Sequence, residues 1–104
     1  MSYQDLDVEE FKKGFETEAN AVIIDVRTPA ELAEGQIDGH ILINVMDPSF
    51  PNKIEQLKKD IPYYIYCRSG NRSGQACKFM ASQGFQHLYN LKGGMLAWMQ
   101  TDFE

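Results

Sequence analysis

Apolar residues fall along the chain in two ways, as short continuous runs and as stripes at helical spacing. Ala21-Val22-Ile23-Ile24-Asp25-Val26 is nearly unbroken and β-branched, which predicts a strand covered on both faces. His40-Ile41-Leu42-Ile43-Asn44-Val45, the aromatic run from Pro62 to Cys67, and His87-Leu88-Tyr89-Asn90-Leu91 predict three more strands. Helical stripes lie between them. Val8, Phe11 and Phe15 share one face of a segment that opens on Asp7 as N-cap. It carries Glu9 and Glu10 early and Lys12 and Lys13 later, an order that suits the helix dipole. Thr28-Pro29-Ala30-Glu31-Leu32 predicts a short helix, with Thr28 as N-cap, Pro29 in the first position and Glu31 closing a capping box, ended by Gly35.

Asp47 to Asn52 is rich in turn formers, and residues 53–59 follow as a helix with Ile54 and Leu57 facing inward and Lys58 and Lys59 solvated. Ser73 to Met80 predicts another helix, with Ala76, Cys77, Phe79 and Met80 on its inner side and Gly84 as its stop. Gly93-Gly94 leads into a terminal helical turn, Met95 to Trp98, and Phe85 and Trp98 read as core aromatics. Strands alternating with short helices imply parallel crossovers, hence an α/β sheet with helices on both faces.

Composition narrows the setting. A chain of 104 residues has room for one domain with one core, and 43% hydrophobic with 24% charged residues is ordinary for a globular protein. A formal charge of -5 argues against a nucleic-acid partner, because phosphate backbones are bound by clustered Lys and Arg. Neither an apolar run long enough to cross a bilayer nor a signal-peptide pattern is visible, so no membrane partner is expected. Two cysteines do not make a disulfide framework, which points to a reducing, cytoplasmic setting.

The chemistry gathers in Tyr66-Cys67-Arg68-Ser69-Gly70-Asn71-Arg72-Ser73-Gly74. A thiol ends a strand and faces the start of a helix across a polar loop that holds two arginines and no acid. That placement favours a low-pKa thiolate. The small and polar residues 68–73 let backbone N–H groups turn inward as an anion nest, and the following helix adds its amino-terminal field. Gly70 opens a backbone conformation closed to most residues, and Asn71 tolerates it better than most. Ser69 and Ser73 offer hydroxyls, while Arg68 and Arg72 offer forks suited to a tetrahedral oxyanion. Cys67 is thus the candidate nucleophile and residues 68–73 the candidate substrate cradle.

Here the sequence resembles the rhodanese family of sulfurtransferases. Asp25-Val26-Arg27 with Pro29 and Glu31, then Gly35-Gln36-Ile37-Asp38-Gly39, then the loop from Tyr66 to Ser73, then Gly93-Gly94-Met95-Leu96-Ala97-Trp98 match the family's motifs in order. The resemblance spans nearly the whole chain, residues 1–104, as a single rhodanese domain. It implies a mostly parallel five-stranded sheet. It also implies a mechanism without metal or cofactor. The Cys67 thiolate takes the outer sulfur of a small anionic donor such as thiosulfate, and the persulfide yields it to cyanide, a thiol or a sulfur-accepting protein. Arg68 and Arg72 would hold the donor's oxygens. The chain departs from the family where Gln36 replaces a histidine and His40 replaces a small residue.

Two rival functions remain at this point. Phosphatases and arsenate reductases of related architecture use a C-x5-R loop around a tetrahedral oxyanion, one residue longer than the C-x4-R from Cys67 to Arg72. Such an enzyme needs an acid to protonate its leaving group; none is obviously placed in the sequence, and Asp47 is the one left open. The other rival is a persulfide relay or interaction module with little turnover. Around the loop, Asp25 and Arg27 are expected to fix the strand end through an ion pair, His40 to be a structural hydrogen-bonder and Cys77 to be core.

Overall fold

The computed structural model describes residues 2–103. Ten elements follow one another: β1 (Gln4–Leu6), α1 (Val8–Thr17), β2 (Val22–Asp25), a 3₁₀ segment (Pro29–Glu34), β3 (Ile41–Leu42), α2 (Phe50–Glu55), β4 (Pro62–Tyr66), α3 (Asn71–Ser82), β5 (His87–Leu91) and α4 (Gly94–Met99). The strands form one sheet in the order β1-β5-β4-β2-β3, and every neighbouring pair is parallel. All carboxyl ends therefore meet at one edge. The buried run Tyr63-Tyr64-Ile65-Tyr66 in β4 occupies the centre.

Strand alternation divides the core into two. Tyr63, Ile65 and Cys67 point to one face, where Phe50 and Ile54 of α2 and Ala76, Cys77, Met80 and Ala81 of α3 cover them. Tyr64 and Tyr66 point to the other, against Val8 and Phe11 of α1 and Met95 of α4. Phe85 lies in the first core, as expected, while Trp98 is only half-buried at the rim of the second, stacked on Phe15 at 6.1 Å. No helix among the described residues is long and apolar enough to cross a membrane.

Several expectations need correction. β1 was not legible as a strand: Gln4-Asp5-Leu6 has no apolar run, and the segment is extended because it pairs with the edge of β5. The strand expected over residues 40–45 narrows to Ile41–Leu42, although the Ile43 and Val45 N–H groups still reach Asp25 O at 2.9 Å and Val26 O at 3.0 Å. The segment after Thr28 is a tighter 3₁₀ helix, and its capping box with Glu31 is present. α2 opens earlier than expected, at Phe50, because Pro51 fits a first helical turn, and it ends at Glu55 rather than at residue 59. α3 likewise begins two residues earlier, at Asn71, and so pulls the last part of the cysteine loop into its first turn.

Candidate active site

β4 is the central strand, and Cys67 is the first residue beyond its end. In open parallel sheets this is where ligands bind. Gly70, at φ 100°, caps α3 in the left-handed region, so the chain can turn back over the sulfur. The result is a cradle. The Gly70 N–H donates to Cys67 Sγ at 3.1 Å, the Ser73 N–H at 3.4 Å and the Ser73 hydroxyl at 3.3 Å. Burial alone would push the thiol's pKa up. Hydrogen bonds from the Ser73 hydroxyl and from the backbone of Ser73, Gly70 and Ser69 outweigh it, and the pKa falls below the ordinary cysteine value. Cys67 itself is 0% exposed, so the sulfur lies beneath the loop rather than on it.

Three outside elements hold the loop in this shape. The Met95 N–H donates to Cys67 O at 2.9 Å and the Leu96 N–H to Arg68 O at 3.0 Å, so the start of α4 is tied to the loop's first two carbonyls. Gly94 permits that approach: a Cβ there would lie 2.4 Å from Arg68 O, and its φ is +58°. From β5, Asn90 Nδ2 reaches Gly70 O at 3.2 Å and Asp5 Oδ1 at 2.9 Å. From the 3₁₀ segment, Glu31 receives both ends of the Arg72 fork, at 2.8 and 2.7 Å.

Asp25 and Arg27 are both fully buried and paired through Arg27 Nε and Nη2, the latter at 2.8 Å. Arg27 also donates to Gly35 O at 2.7 Å and Glu31 O at 3.2 Å, so one guanidinium organises the turn from β2 through the 3₁₀ segment. Burial works against its charge, and the bonds to Asp25 more than offset that, leaving its pKa raised. The pair thus links the end of β2 to the turn that follows it.

The arginines of the loop differ from expectation. Arg72 was expected to hold donor oxygens, but its fork is engaged by Glu31, whose pKa is held down to about 2, first by Arg72 and then by bonds from Thr28. Arg68 Nε lies 3.3 Å from Glu34, with both side chains about half exposed at 51%. Each arginine thus meets an acid, because the 3₁₀ segment places Glu31 and Glu34 along the loop's rim. Ser69 and Asn71 are exposed beside them.

The remaining residues take quieter places. Cys77 is buried in the core under α3, and burial pushes its thiol pKa up, away from reactivity. His40 Nδ1 sits 2.8 Å from the Ile37 carbonyl oxygen, a structural hydrogen bond. Gln36 is exposed, whereas Ile37 is buried and its N–H donates to the Tyr66 hydroxyl at 3.1 Å. That segment's packing thus rests on Ile37 and not on the replaced histidine. Asp47 accepts from the Ser49 N–H and hydroxyl, which hold its carboxyl ionised. Sequence reasoning missed Asn90, whose one signal was an amide inside an otherwise apolar strand, and read Glu31 only as a cap.

Residues 7–101 match the family model described as a rhodanese-like domain. The chain belongs to the rhodanese-like family. The domain is 39% identical over 98 residues to a putative sulfurtransferase, YtwF, of Bacillus subtilis, covering 94% of this chain and 92% of that one. It is 35% identical over 83 residues to a thiosulfate sulfurtransferase, GlpE, of Stutzerimonas stutzeri, covering 80% and 74%. Among solved structures it resembles a rhodanese-related protein of Thermoplasma volcanium with a TM-score of 0.83 and 25% identity, covering 98% and 96%. In this rhodanese-like domain the cradle, the buried Asp25–Arg27 pair and the Gly93-Gly94 turn form one connected arrangement around Cys67.

Proposed function

We propose that the protein is a rhodanese-type sulfurtransferase in which Cys67 carries the sulfur. The Cys67 thiolate attacks the outer sulfur of a donor such as thiosulfate. The donor's S–S bond breaks, and sulfite leaves with the electron pair. The Cys67 persulfide then passes its outer sulfur to cyanide as thiocyanate, or to a thiol, and the thiolate is restored. Ser69, Gly70, Asn71 and Ser73 form the cradle that receives the transferred sulfur, Arg68 and Arg72 stand at its rim, and Asp25 and Arg27 support it.

One observation carries this reading: hydrogen-bond donors surround Cys67 Sγ and lower its pKa. A thiolate formed in this way needs no general base. The same chemistry with slow turnover would make the protein a relay for a sulfur-accepting partner. A phosphatase or arsenate-reductase reading has less support, because Asp47 is kept ionised by Ser49 and is a poor proton donor. Mass spectrometry after exposure to a sulfur donor is the test. The expected result is a gain of about 32 Da on Cys67, one persulfide sulfur, removed by adding a thiol. No adduct, or the same adduct in Cys67→Ser, overturns the proposal.

A further inference from the structure

Asn90 interrupts β5 between Tyr89 and Leu91, at a buried position where a strand favours β-branched or aromatic residues. Its Nδ2 donates both hydrogens, one to Asp5 Oδ1 at 2.9 Å and one to Gly70 O at 3.2 Å. Its Oδ1 is buried and has no hydrogen-bond partner among the described residues. An unpaired buried acceptor is destabilising. Neither recipient depends on the amide to be satisfied. Asp5 is exposed to water, and Gly70 O also accepts from the Gly74 N–H at 3.1 Å. For the stability of the fold alone, the amide adds little and carries an unpaired oxygen.

Its placement makes sense at Gly70. Glycine has more backbone freedom than any other residue, and the bond from Gly74 belongs to the first turn of α3, where helices fray. Yet the Gly70 N–H is the closest donor to Cys67 Sγ, at 3.1 Å against 3.3 and 3.4 Å for the two groups of Ser73. The anchored carbonyl and the N–H on the sulfur belong to one residue, so fixing the first limits the swing of the second. The anchor itself is rigid. Asn90 is paired in the sheet with Asp5 on one side and, on the other, with Ile65, two residues before the thiol. Asp5 takes the second amide hydrogen and so opposes rotation about the loose terminal torsion of the side chain.

Building on the sulfurtransferase reading, we infer that Asn90 is a positioning residue for Cys67: it holds Gly70 so that the Gly70 N–H stays on the sulfur, and Asp5 of β1 holds Asn90. The amino-terminal strand thereby acts on the thiol through two intervening groups.

The experiment titrates Cys67 by thiolate absorbance and follows sulfur arriving from thiosulfate by mass spectrometry, both across pH. It compares wild type, Asn90→Ala, Asp5→Ala and Asp5→Asn. The charged groups around the loop are the Asp25–Arg27, Glu31–Arg72 and Glu34–Arg68 pairs, with Asp5 and Lys78 beside Asn90, and Asn90→Ala alters none of them. Its ionisation midpoint should rise by about half a pH unit, half of what the loss of a whole bond to a thiolate gives. Below the midpoint sulfur should arrive about twofold more slowly, because the lost thiolate is partly offset by the greater nucleophilicity of a more basic sulfur. Above both midpoints the variant should match or exceed wild type, and its denaturant midpoint should stay close to the wild-type value. A structural amide gives the reverse, a lowered denaturant midpoint with an unmoved titration, and that result overturns the inference. So does a rate deficit that persists undiminished above both midpoints. Asp5→Asn removes the charge and keeps an acceptor, so Asp5→Ala should titrate ~0.3 unit above it. That comparison, at an exposed position, decides the case in which Asn90→Ala does not fold, and equal midpoints there overturn the inference. Wild type that takes up no sulfur overturns the sulfurtransferase reading instead, and the titrations alone then decide the role of Asn90.

Discussion

Removing the Ser73 hydroxyl tests whether the cradle, rather than the arginines, makes the thiolate. Ser73→Ala deletes one donor, 3.3 Å from Sγ, and keeps the Ser73 N–H at 3.4 Å and the Gly70 N–H at 3.1 Å. A hydrogen bond to a charged acceptor contributes about 1.5 kcal/mol at the low end, suitable for a long bond to sulfur. At 1.36 kcal/mol per pH unit, the midpoint of Cys67 ionisation should rise by about one unit. The assay is the ultraviolet absorbance of the thiolate across pH, with Cys67→Ser subtracted. It needs no reagent to reach a buried sulfur, and Cys77 stays protonated beneath it. Stability carries the same sign. A folded pKa below the unfolded one stabilises the fold above the unfolded value, about 8.5. That contribution is lost as pH falls through the folded value. The stability gap between wild type and Ser73→Ala should therefore be wider at alkaline than at acid pH. An unmoved or lowered midpoint would refute the reasoning and return the low pKa to the arginines.

Two further substitutions probe the supports. Asp25→Ala leaves the fully buried Arg27 without its carboxylate and should cost about 3–5 kcal/mol, read as a lower denaturant midpoint; a change below about 1 kcal/mol, the size of an exposed pair, would show that the ion pair does not hold the turn. Gly94→Ala drives a Cβ to 2.4 Å from Arg68 O at a left-handed φ, and should cost roughly 3 kcal/mol through strain and overpacking. Its melting temperature should fall by about 10–20 °C. Cys67 ionisation in the folded variant should also move to higher pH, and a stable protein with an unmoved titration would show that α4 does not shape the loop.

What the sequence made legible was local in origin. The β-branched run ending at Asp25, the aromatic run ending at Cys67, and the Thr28-Pro29…Glu31 box each specify their element with near neighbours, and each is present. β1 was hidden because three polar or half-exposed residues become a strand only when β5 lies beside them. The candidate loop was equally visible, since a thiol, small residues and a helix start are contiguous. The electrostatic partners were not. Glu31 lies 41 positions from Arg72 and Asn90 lies 20 from Gly70, separations at which no periodicity or spacing carries information. Two arginines in a row of polar residues therefore looked like free positive charge, and only the folded chain reveals the acids that meet them.

The same distant contacts explain why the loop's donors face the sulfur at all. A trans peptide is planar and holds its C=O and N–H on opposite sides. Leu96 fixes the Arg68 carbonyl from outside the loop, at 3.0 Å, so the Ser69 N–H of that peptide turns inward, and the Ser69 backbone is among the groups that lower the Cys67 pKa. Met95 likewise fixes the Cys67 carbonyl, at 2.9 Å. Gly70, with its φ of 100°, presents its own N–H at 3.1 Å while Asn90 anchors its carbonyl. Thiolate stabilisation is thus built by α4 and β5 acting on the back of the loop, and the Gly93-Gly94 turn exists to let α4 come close enough to do it. A loop of the same six residues without those braces would keep its composition and lose the orientation of its dipoles, and it is the orientation that opposes the cost of burying a charged sulfur.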